Sequence, residues 1–158
     1  MAKTFEGKLS GTGLKLAIIT TRWNDFITDR LLSAATRTCV RHGVDEDHID
    51  TAIAPGAYEV PFIARKLAQS GRYDGVIALG CVIRGGTPHF EYVAGEAAKG
   101  IAGAMHDTGV PISFGVLTVD TIEQAIERAG TKAGNKGEEA ALAAIETITL
   151  ARAIAGDD

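Results

Sequence analysis

Residues 75–89 have the sequence GVIALGCVIRGGTPH, and this stretch decides the fold. Its apolar part predicts a buried strand over Val76–Ile83. The strand ends in Arg84, two glycines, a threonine, a proline and His89, and a helical pattern follows at once. Such an ending brings free backbone N–H groups, a cation and a titratable ring to one point. Phosphate is the ligand that suits this point best, beside a group that can transfer protons.

Short apolar runs alternate with helix-like stretches on both sides of this segment, which indicates a parallel α/β sheet. The runs are nearly continuous in apolar residues, so we expect every strand to be covered by helices on both faces. The fold class predicted is a three-layer αβα sandwich with a four-stranded parallel sheet, in one domain that spans residues 1–158. The predicted strands are Leu14–Thr20, Ile49–Ala54, Val76–Ile83 and a run within Pro111–Thr118, and the predicted helices begin near Asn24, Val60, His89, Thr121 and Glu138.

Three segments are less regular. Residues 4–9 could form a strand, but they precede the regular units and have no evident partner in this chain. Thr131–Gly137 has the composition of a turn between two helices. The helix that begins at His89 carries Gly95, Gly100 and Gly103, and each glycine costs about 1 kcal/mol relative to alanine. Either a second subunit or tight packing of the helix on its own sheet would account for them.

The composition excludes several classes of protein. With 46% apolar and 23% charged residues, the chain is an ordinary globular domain. Its net charge of −4 argues against a general binder of nucleic acid or membrane surfaces. Cys39 and Cys81 form no CxxC motif, so we expect buried thiols in a reducing compartment. A secretory signal and a membrane-spanning run are absent from the sequence, which makes the cytoplasm the expected location.

Polar and aromatic residues follow the predicted strands, at the edge of the sheet where parallel α/β proteins bind ligands. Trp23 follows the first strand, and this position favours a stacking surface over a place in the core. Glu59 follows the second strand, where it could accept hydroxyl hydrogen bonds or only stabilise a helix start. His89 lies at a helix start, whose dipole disfavours the imidazolium form and favours a proton acceptor. We therefore expect Trp23, Glu59 and His89 to meet.

Four basic residues are candidates to bind the phosphate. Arg84 is adjacent to the glycines, and Arg128 lies near the last connection, where a guanidinium could bind phosphate through two parallel hydrogen bonds. From spacing alone, Lys132 and Lys136 belong to a solvated turn. The sequence shows no metal-ligand spacing, no P-loop, no dinucleotide fingerprint and no nucleophilic serine turn, so no cofactor and no metal are expected.

The motifs themselves resemble those of the 6,7-dimethyl-8-ribityllumazine synthase family, in order and over nearly the whole chain. The matching segments are RWN at 22–24, PGAYEVP at 55–61, GCVIRGGTPHF at 80–90, FGVLT at 114–118 and the stretch 127–137. The resemblance implies a flavodoxin-like sheet and a transferase of riboflavin biosynthesis. It implies that 5-amino-6-(D-ribitylamino)uracil condenses with 3,4-dihydroxy-2-butanone 4-phosphate, with release of phosphate and water and without a cofactor.

The resemblance also implies a role for each matched residue. His89 would transfer protons as the catalytic residue. The resemblance implies that three residues reach the active site from the neighbouring subunit, namely Phe114, Arg128 and Lys136. Lys136 would then bind substrate and would not be only part of a solvated turn. The pyrimidine and ribityl chain would contact Trp23, Asn24, Ala57, Tyr58, Glu59, Cys81, Val82, Ile83 and Phe114, and the phosphate would contact Gly86, Thr87, Arg128 and Lys136.

The same resemblance implies a homo-oligomer with its active site at a subunit interface. The assembly would be a pentamer or a 60-subunit icosahedral shell of pentamers, and residues 1–13 would form an arm that adds a strand to the neighbouring sheet. Association with riboflavin synthase is a further expectation, whereas nucleic acid and membranes are not expected partners. Two alternatives stay open: a flavodoxin-like protein that binds flavin or lumazine without catalysis, and a shell-forming or storage protein.

Overall fold

The apolar runs form the central sheet of the protein. The computed structural model describes residues 1–157. Its parallel sheet has the order β2-β1-β3-β4. The two central strands are buried almost throughout, because helices cover both of their faces. The strands are β1 (Leu16–Thr21), β2 (Ile49–Ala54), β3 (Gly75–Ile83) and β4 (Ile112–Val119).

Helices pack on both faces of this sheet, so the predicted three-layer αβα architecture is confirmed. Leu31 of the first helix and Ile145 of the last help to form one buried cluster, on one face. Val60 and Ile101 belong to a second cluster, on the opposite face. Among residues 1–157, no helix is both long enough and apolar enough to cross a membrane. The helices are α1 (Asp25–Arg41), α2 (Val60–Gln69), α3 (His89–Thr108), α4 (Ile122–Glu127) and α5 (Lys136–Ala155).

Strand β2 departs from the prediction that both faces of every strand are covered. It lies at the edge of the sheet, and within it only Ala54 is fully buried. The side chain of Ile53 is 64% exposed. Edge strands have one unpaired side and lie where the covering helices end, so an apolar run there need not be buried. The prediction was wrong for this strand because strand order was not known.

The connection before α5 also differs from the turn that was predicted. Ala129–Thr131 (β5) and Gly134–Asn135 (β6) pair as a small antiparallel hairpin. Helix α5 begins at Lys136, two residues before the predicted start, because Oδ1 of Asn135 accepts hydrogen bonds from the N–H groups of Gly137 and Glu138, at 2.8 and 3.2 Å. An asparagine that satisfies two free N–H groups is a strong helix start.

The N-terminal arm runs along α5. The N–H of Lys8 donates to Oγ1 of Thr149 at 2.8 Å, and that hydroxyl donates to the carbonyl of Lys8 at 3.0 Å. Within this described part of the chain, residues 4–9 form no strand. A strand formed with a neighbouring subunit stays a prediction.

The glycines of α3 have unequal surroundings. A Cβ on Gly100 would lie 2.6 Å from Cβ of Pro61, so the close approach is to α2 and not to the sheet. A Cβ on Gly95 would meet no atom within 4 Å among residues 1–157. Packing inside the chain therefore explains Gly100 but does not explain Gly95.

We expect Gly100→Ala to destabilise the protein by about 1–3 kcal/mol, because the rigid ring of Pro61 cannot move aside cheaply. Gly95→Ala is the matched control on the same helix and should be neutral or stabilising by up to about 1 kcal/mol. Chemical denaturation of the assembled protein measures both. Equal effects of the two substitutions would contradict this account of the packing.

Candidate active site

The candidate site lies where two central strands stop pairing. β1 and β3 are in register from Leu16 opposite Gly75 to Ile19 opposite Ala78. Beyond that pair, β3 continues beside β4 as far as Ile83. The chain leaves β1 towards β2 on one side, whereas β3 lies on the other. A parallel sheet opens a crevice at the carboxyl ends of such strands, and ligands bind there.

A cavity of about 630 Å³ occupies this crevice. The structure brings Trp23, Glu59 and His89 together around it, although they are far apart in the sequence. Its size falls within the range of small-molecule sites, roughly 300–1,000 Å³. The lining residues are Trp23, Asn24, Pro55, Gly56, Ala57, Tyr58, Glu59, Cys81, Val82, Ile83, His89, Tyr92 and Val93.

Two lining residues, Tyr92 and Val93, were not expected from the sequence. They lie three and four positions after His89 on α3, so all three share one face of the helix. This spacing was the available signal. The phenol of Tyr92 is 70% exposed and adds a second aromatic side chain to the cavity wall.

Trp23 is an exposed side chain on a well-fixed backbone. Its indole is 74% exposed, which excludes the core position that was the alternative. The backbone N–H of Trp23 donates to the carbonyl of Pro55 at 2.9 Å, and its backbone carbonyl accepts a hydrogen bond from Oγ1 of Thr21 at 3.0 Å. An exposed aromatic face on a fixed backbone can receive a flat ring.

The turn after β2 places the carboxylate of Glu59 at the cavity. Ala57–Glu59 form one turn of 3₁₀ helix that leads into α2. Ala57 is buried, Tyr58 is exposed and Glu59 is half-buried. A Cβ on Gly56 would lie 3.5 Å from Oε1 of Glu59 and 3.8 Å from Cβ of Trp23. The carboxylate of Glu59 and Cβ of Trp23 therefore both lie close to this small residue.

The end of β3 forms the apolar part of the lining. Cys81 and Val82 are buried and Ile83 is half-buried. Burial raises the pKa of the Cys81 thiol to about 11, and it does the same for Cys39. Both thiols therefore stay protonated at neutral pH and are poor nucleophiles. The prediction that these cysteines are buried free thiols is confirmed.

The glycine-rich loop between β3 and α3 is open to solvent. Gly86 and Thr87 are exposed and lie outside the lining of the cavity, next to its residue His89. Pro88 precedes α3 and supplies no side-chain hydrogen bond to the helix start. The N–H of Glu91 donates to the carbonyl of Pro88 at 3.2 Å, which leaves those of His89 and Phe90 available to an anion at the start of this 20-residue helix. The helix dipole favours negative charge there.

Arg84 is bonded to two carboxylates, contrary to the expectation of a cation free for phosphate from its place beside the glycines. Its Nε donates to Oδ1 of Asp120 at 2.8 Å, and its NH1 group donates to Glu91. The guanidinium also lies 4.4 Å from the ring centre of Phe90. The hydrogen bonds that Arg84 donates to Asp120 and then to Glu91 raise its pKa, and the bond from Arg84 lowers the pKa of Glu91. Two carboxylates thus already neutralise this cation.

Phe114, Arg128 and Lys136 lie outside the cavity of their own chain. Phe114 is 38% exposed on the edge strand β4. NH1 of Arg128 donates to the carbonyl of Gln124 at 3.2 Å, and the N–H of Lys136 donates to the carbonyl of Arg128 at 2.9 Å. The two basic residues are therefore neighbours across the small hairpin. Their contribution to another subunit's cavity stays a prediction.

The fold and the crevice define a class. This is an α/β protein of the flavodoxin-like type, with a small-molecule site at the switch point of its parallel sheet. The family of 6,7-dimethyl-8-ribityllumazine synthase matches residues 13–152, which is nearly the whole chain, and the chain belongs to that family. Its function is accordingly that of a lumazine synthase, a transferase of riboflavin biosynthesis that acts on small molecules and assembles as a homo-oligomer.

The contacts of Arg84 predict a local effect of its removal. Arg84→Met removes the hydrogen bonds to Glu91 and Asp120, which connect the start of α3 to the loop after β4. Amide hydrogen exchange in residues 85–92 should therefore become faster. Global stability should change little, since exposed ion pairs contribute about 0–1 kcal/mol. Arg65→Met is the control, because Arg65 pairs with Asp107 at 2.9 Å and lies outside the lining of the cavity. Unchanged exchange in 85–92 would show that these bonds do not hold the loop.

Proposed function

We propose that the cavity between the ends of β1 and β3 binds 5-amino-6-(D-ribitylamino)uracil and condenses it with 3,4-dihydroxy-2-butanone 4-phosphate. The convergence of Trp23, Glu59 and His89 on one cavity carries this proposal. The pyrimidine amine attacks the ketone and forms an imine with loss of water. Phosphate then leaves, and the four-carbon unit closes onto the ribitylamino nitrogen with loss of a second water.

The pyrimidine ring would stack on the indole of Trp23. Family resemblance makes phenylalanine the usual residue at this position, and the larger indole keeps the aromatic face. Backbone groups of Cys81, Val82 and Ile83 would contact the edge of the ring, because their side chains are mostly buried. The ribityl chain would lie along Ala57 and Tyr58, with its hydroxyls donating to the carboxylate of Glu59.

The phosphate would lie at the glycine-rich loop. Gly86 and Thr87 and the uncapped start of α3 offer backbone N–H donors to its oxygens. Arg84 is neutralised by two carboxylates, so another cation is needed. Arg128 and Lys136, which adjoin each other on the hairpin, would supply it from the neighbouring subunit, with Phe114 closing the same side.

His89 would move the protons. It lies in the lining of the cavity, next to the proposed phosphate loop. Imine formation requires a proton to leave the attacking amine. Departure of phosphate requires a second proton to leave the carbon chain of the butanone phosphate. General acid–base catalysis of this kind typically contributes about 10²–10⁴-fold to the rate.

The assembly would be a pentamer or a 60-subunit shell of pentamers, with the active site shared between subunits. The open edge of β2 supports this proposal, because its unpaired groups can accept the N-terminal arm of a neighbour as a further strand. Association with riboflavin synthase stays a prediction from the family. The cytoplasm stays a prediction from the two free thiols.

The test is to mix the purified protein with the two substrates. We expect lumazine absorbance and inorganic phosphate to appear in equal amounts. His89→Ala should lower turnover by about 10²–10⁴-fold with assembly intact. His106→Ala is the matched control, because His106 is exposed near the other end of α3 and should change nothing. Well-assembled protein that yields neither product would favour a binding protein, and unchanged turnover in His89→Ala would remove this residue from the mechanism.

A mixture of variants tests whether the site is shared. Arg128→Ala and His89→Ala should each be nearly inactive alone, and Arg128→Ala should raise KM for the phosphate substrate far more than for the pyrimidine. When the two are unfolded, mixed and reassembled, activity should return at interfaces where an intact His89 meets an intact Arg128. If Arg128 served the cavity of its own chain, every site in the mixture would carry one defect and activity would not return.

A further inference from the structure

Asn24 holds an unusual backbone conformation beside the cavity. Its φ is 62° and its ψ is 39°, in the left-handed region. Among residues 1–157 it is the only non-glycine residue with a positive φ. Asparagine tolerates this region better than most residues, but it still needs support from its surroundings. Helix α1 begins at the next residue, so the chain makes its turn from strand to helix at Asn24.

The side chain of Asn24 joins two strands beyond the end of their backbone pairing. Its Nδ2 donates to the carbonyl of Cys81 at 2.9 Å. The last backbone pair between β1 and β3 is Ile19 opposite Ala78, so this bond lies three residues further along β3. It crosses the crevice that contains the cavity. One amide side chain therefore bridges the crevice at this level.

Trp23 depends on this bond because packing does not hold its exposed indole. Its own peptide groups are bonded to Pro55, after β2, and to Thr21, at the end of β1. Neither of these bonds fixes the corner relative to β3. The hydrogen bond from Asn24 to Cys81 links the tryptophan corner, residues 21–24, directly to the strand that forms the apolar lining.

We propose that Asn24 is a positioning residue that holds the indole of Trp23 at a fixed distance from the end of β3. This role rests on the proposed function, in which the pyrimidine stacks on that indole beside Cys81–Ile83. Asparagine meets both needs of the position, since it adopts the left-handed region and donates an N–H. Glycine would meet only the first need, and aspartate would keep the size and conformation without the donor.

The experiment compares Asn24→Gly and Asn24→Asp with the unmodified protein. Trp23 is the single tryptophan of the chain, so its fluorescence reports on this position alone. Time-resolved anisotropy of the assembled, ligand-free protein should show more rapid local motion of the indole in both variants. In steady-state assays KM for the pyrimidine should rise by about tenfold, as expected for one lost hydrogen bond, while KM for the phosphate substrate stays nearly constant.

Thr108→Val is the matched control. It removes two bonds between a side chain and the backbone at the far end of α3. Oγ1 of Thr108 donates to the carbonyl of Ala104 at 2.7 Å and accepts from the N–H of Val110 at 3.3 Å. It should change neither the anisotropy nor either KM. Unfolding curves for all variants identify any general loss of stability, and Asn24→Gly keeps the backbone conformation so that folding is preserved.

Three results would overturn the proposal. These are unchanged indole motion in both variants, equal rises of both KM values, and the same motion in Thr108→Val as in Asn24→Gly. A change of KM without any change in the ligand-free anisotropy would mean that Asn24 contacts the substrate directly. The anisotropy needs no substrate, so it tests the positioning role even if the unmodified protein makes no lumazine, which would refute the proposed function by itself.

Discussion

The separation of β1 from β3 after Ile19 and Ala78 is the constraint on which the site depends. In a parallel sheet each strand needs a helical connection, and consecutive connections can lie on opposite faces. Here α1, which follows β1, covers one face and α3, which follows β3, covers the other, so the chain diverges where these two strands end. Among residues 1–157, no side chain of the core fills the resulting crevice. The cavity is thus a consequence of strand order, and the residues at the strand ends give it its chemistry.

The side chains around this cavity are stabilised differently from those of the core. Ile18 and Ile77 are fully buried between sheet and helices. By contrast Trp23, Tyr58 and Tyr92 are each at least 59% exposed. Large aromatic side chains left exposed together mark a surface that a ligand or a partner covers. Their placement depends on the backbone that carries them, because dispersion contacts with neighbours are few.

Much of this arrangement could be predicted from the sequence. The apolar run Ile49–Ala54 gave the bounds of β2, and the residues after each strand identified most of the cavity lining. These features are local, since they depend on periodicity and on the rule that parallel strands end at one edge. The exposure of Ile53 could not be predicted, because no local pattern states that β2 lies at the edge. The hairpin Ala129–Asn135 was missed because its strands are only three and two residues long.

The hydrogen-bond partners of polar side chains were the other feature that could not be predicted from the sequence. Arg84 looked like a phosphate ligand because the glycines adjoin it, yet its carboxylate partners are Glu91, seven residues on, and Asp120, at the end of the next strand. Charge and spacing do not reveal such pairs. The same is true of Asn24, whose amide reaches a carbonyl that is 57 residues away. Both contacts became visible only when the register of β3 with its neighbours was known.

Both contacts involve the end of β3. The carbonyl of Cys81 accepts the bond from Asn24, and the side chain of Arg84, the residue after β3, donates to Glu91 in the first turn of α3. The end of β3 therefore anchors the tryptophan corner on one side and the start of α3, with His89, on the other. Since each individual contact is weak and partly exposed, it adds little to global stability. Its effect is instead on geometry: the indole of Trp23 and the imidazole of His89 lie on different elements, and both elements are bonded to the end of one buried strand.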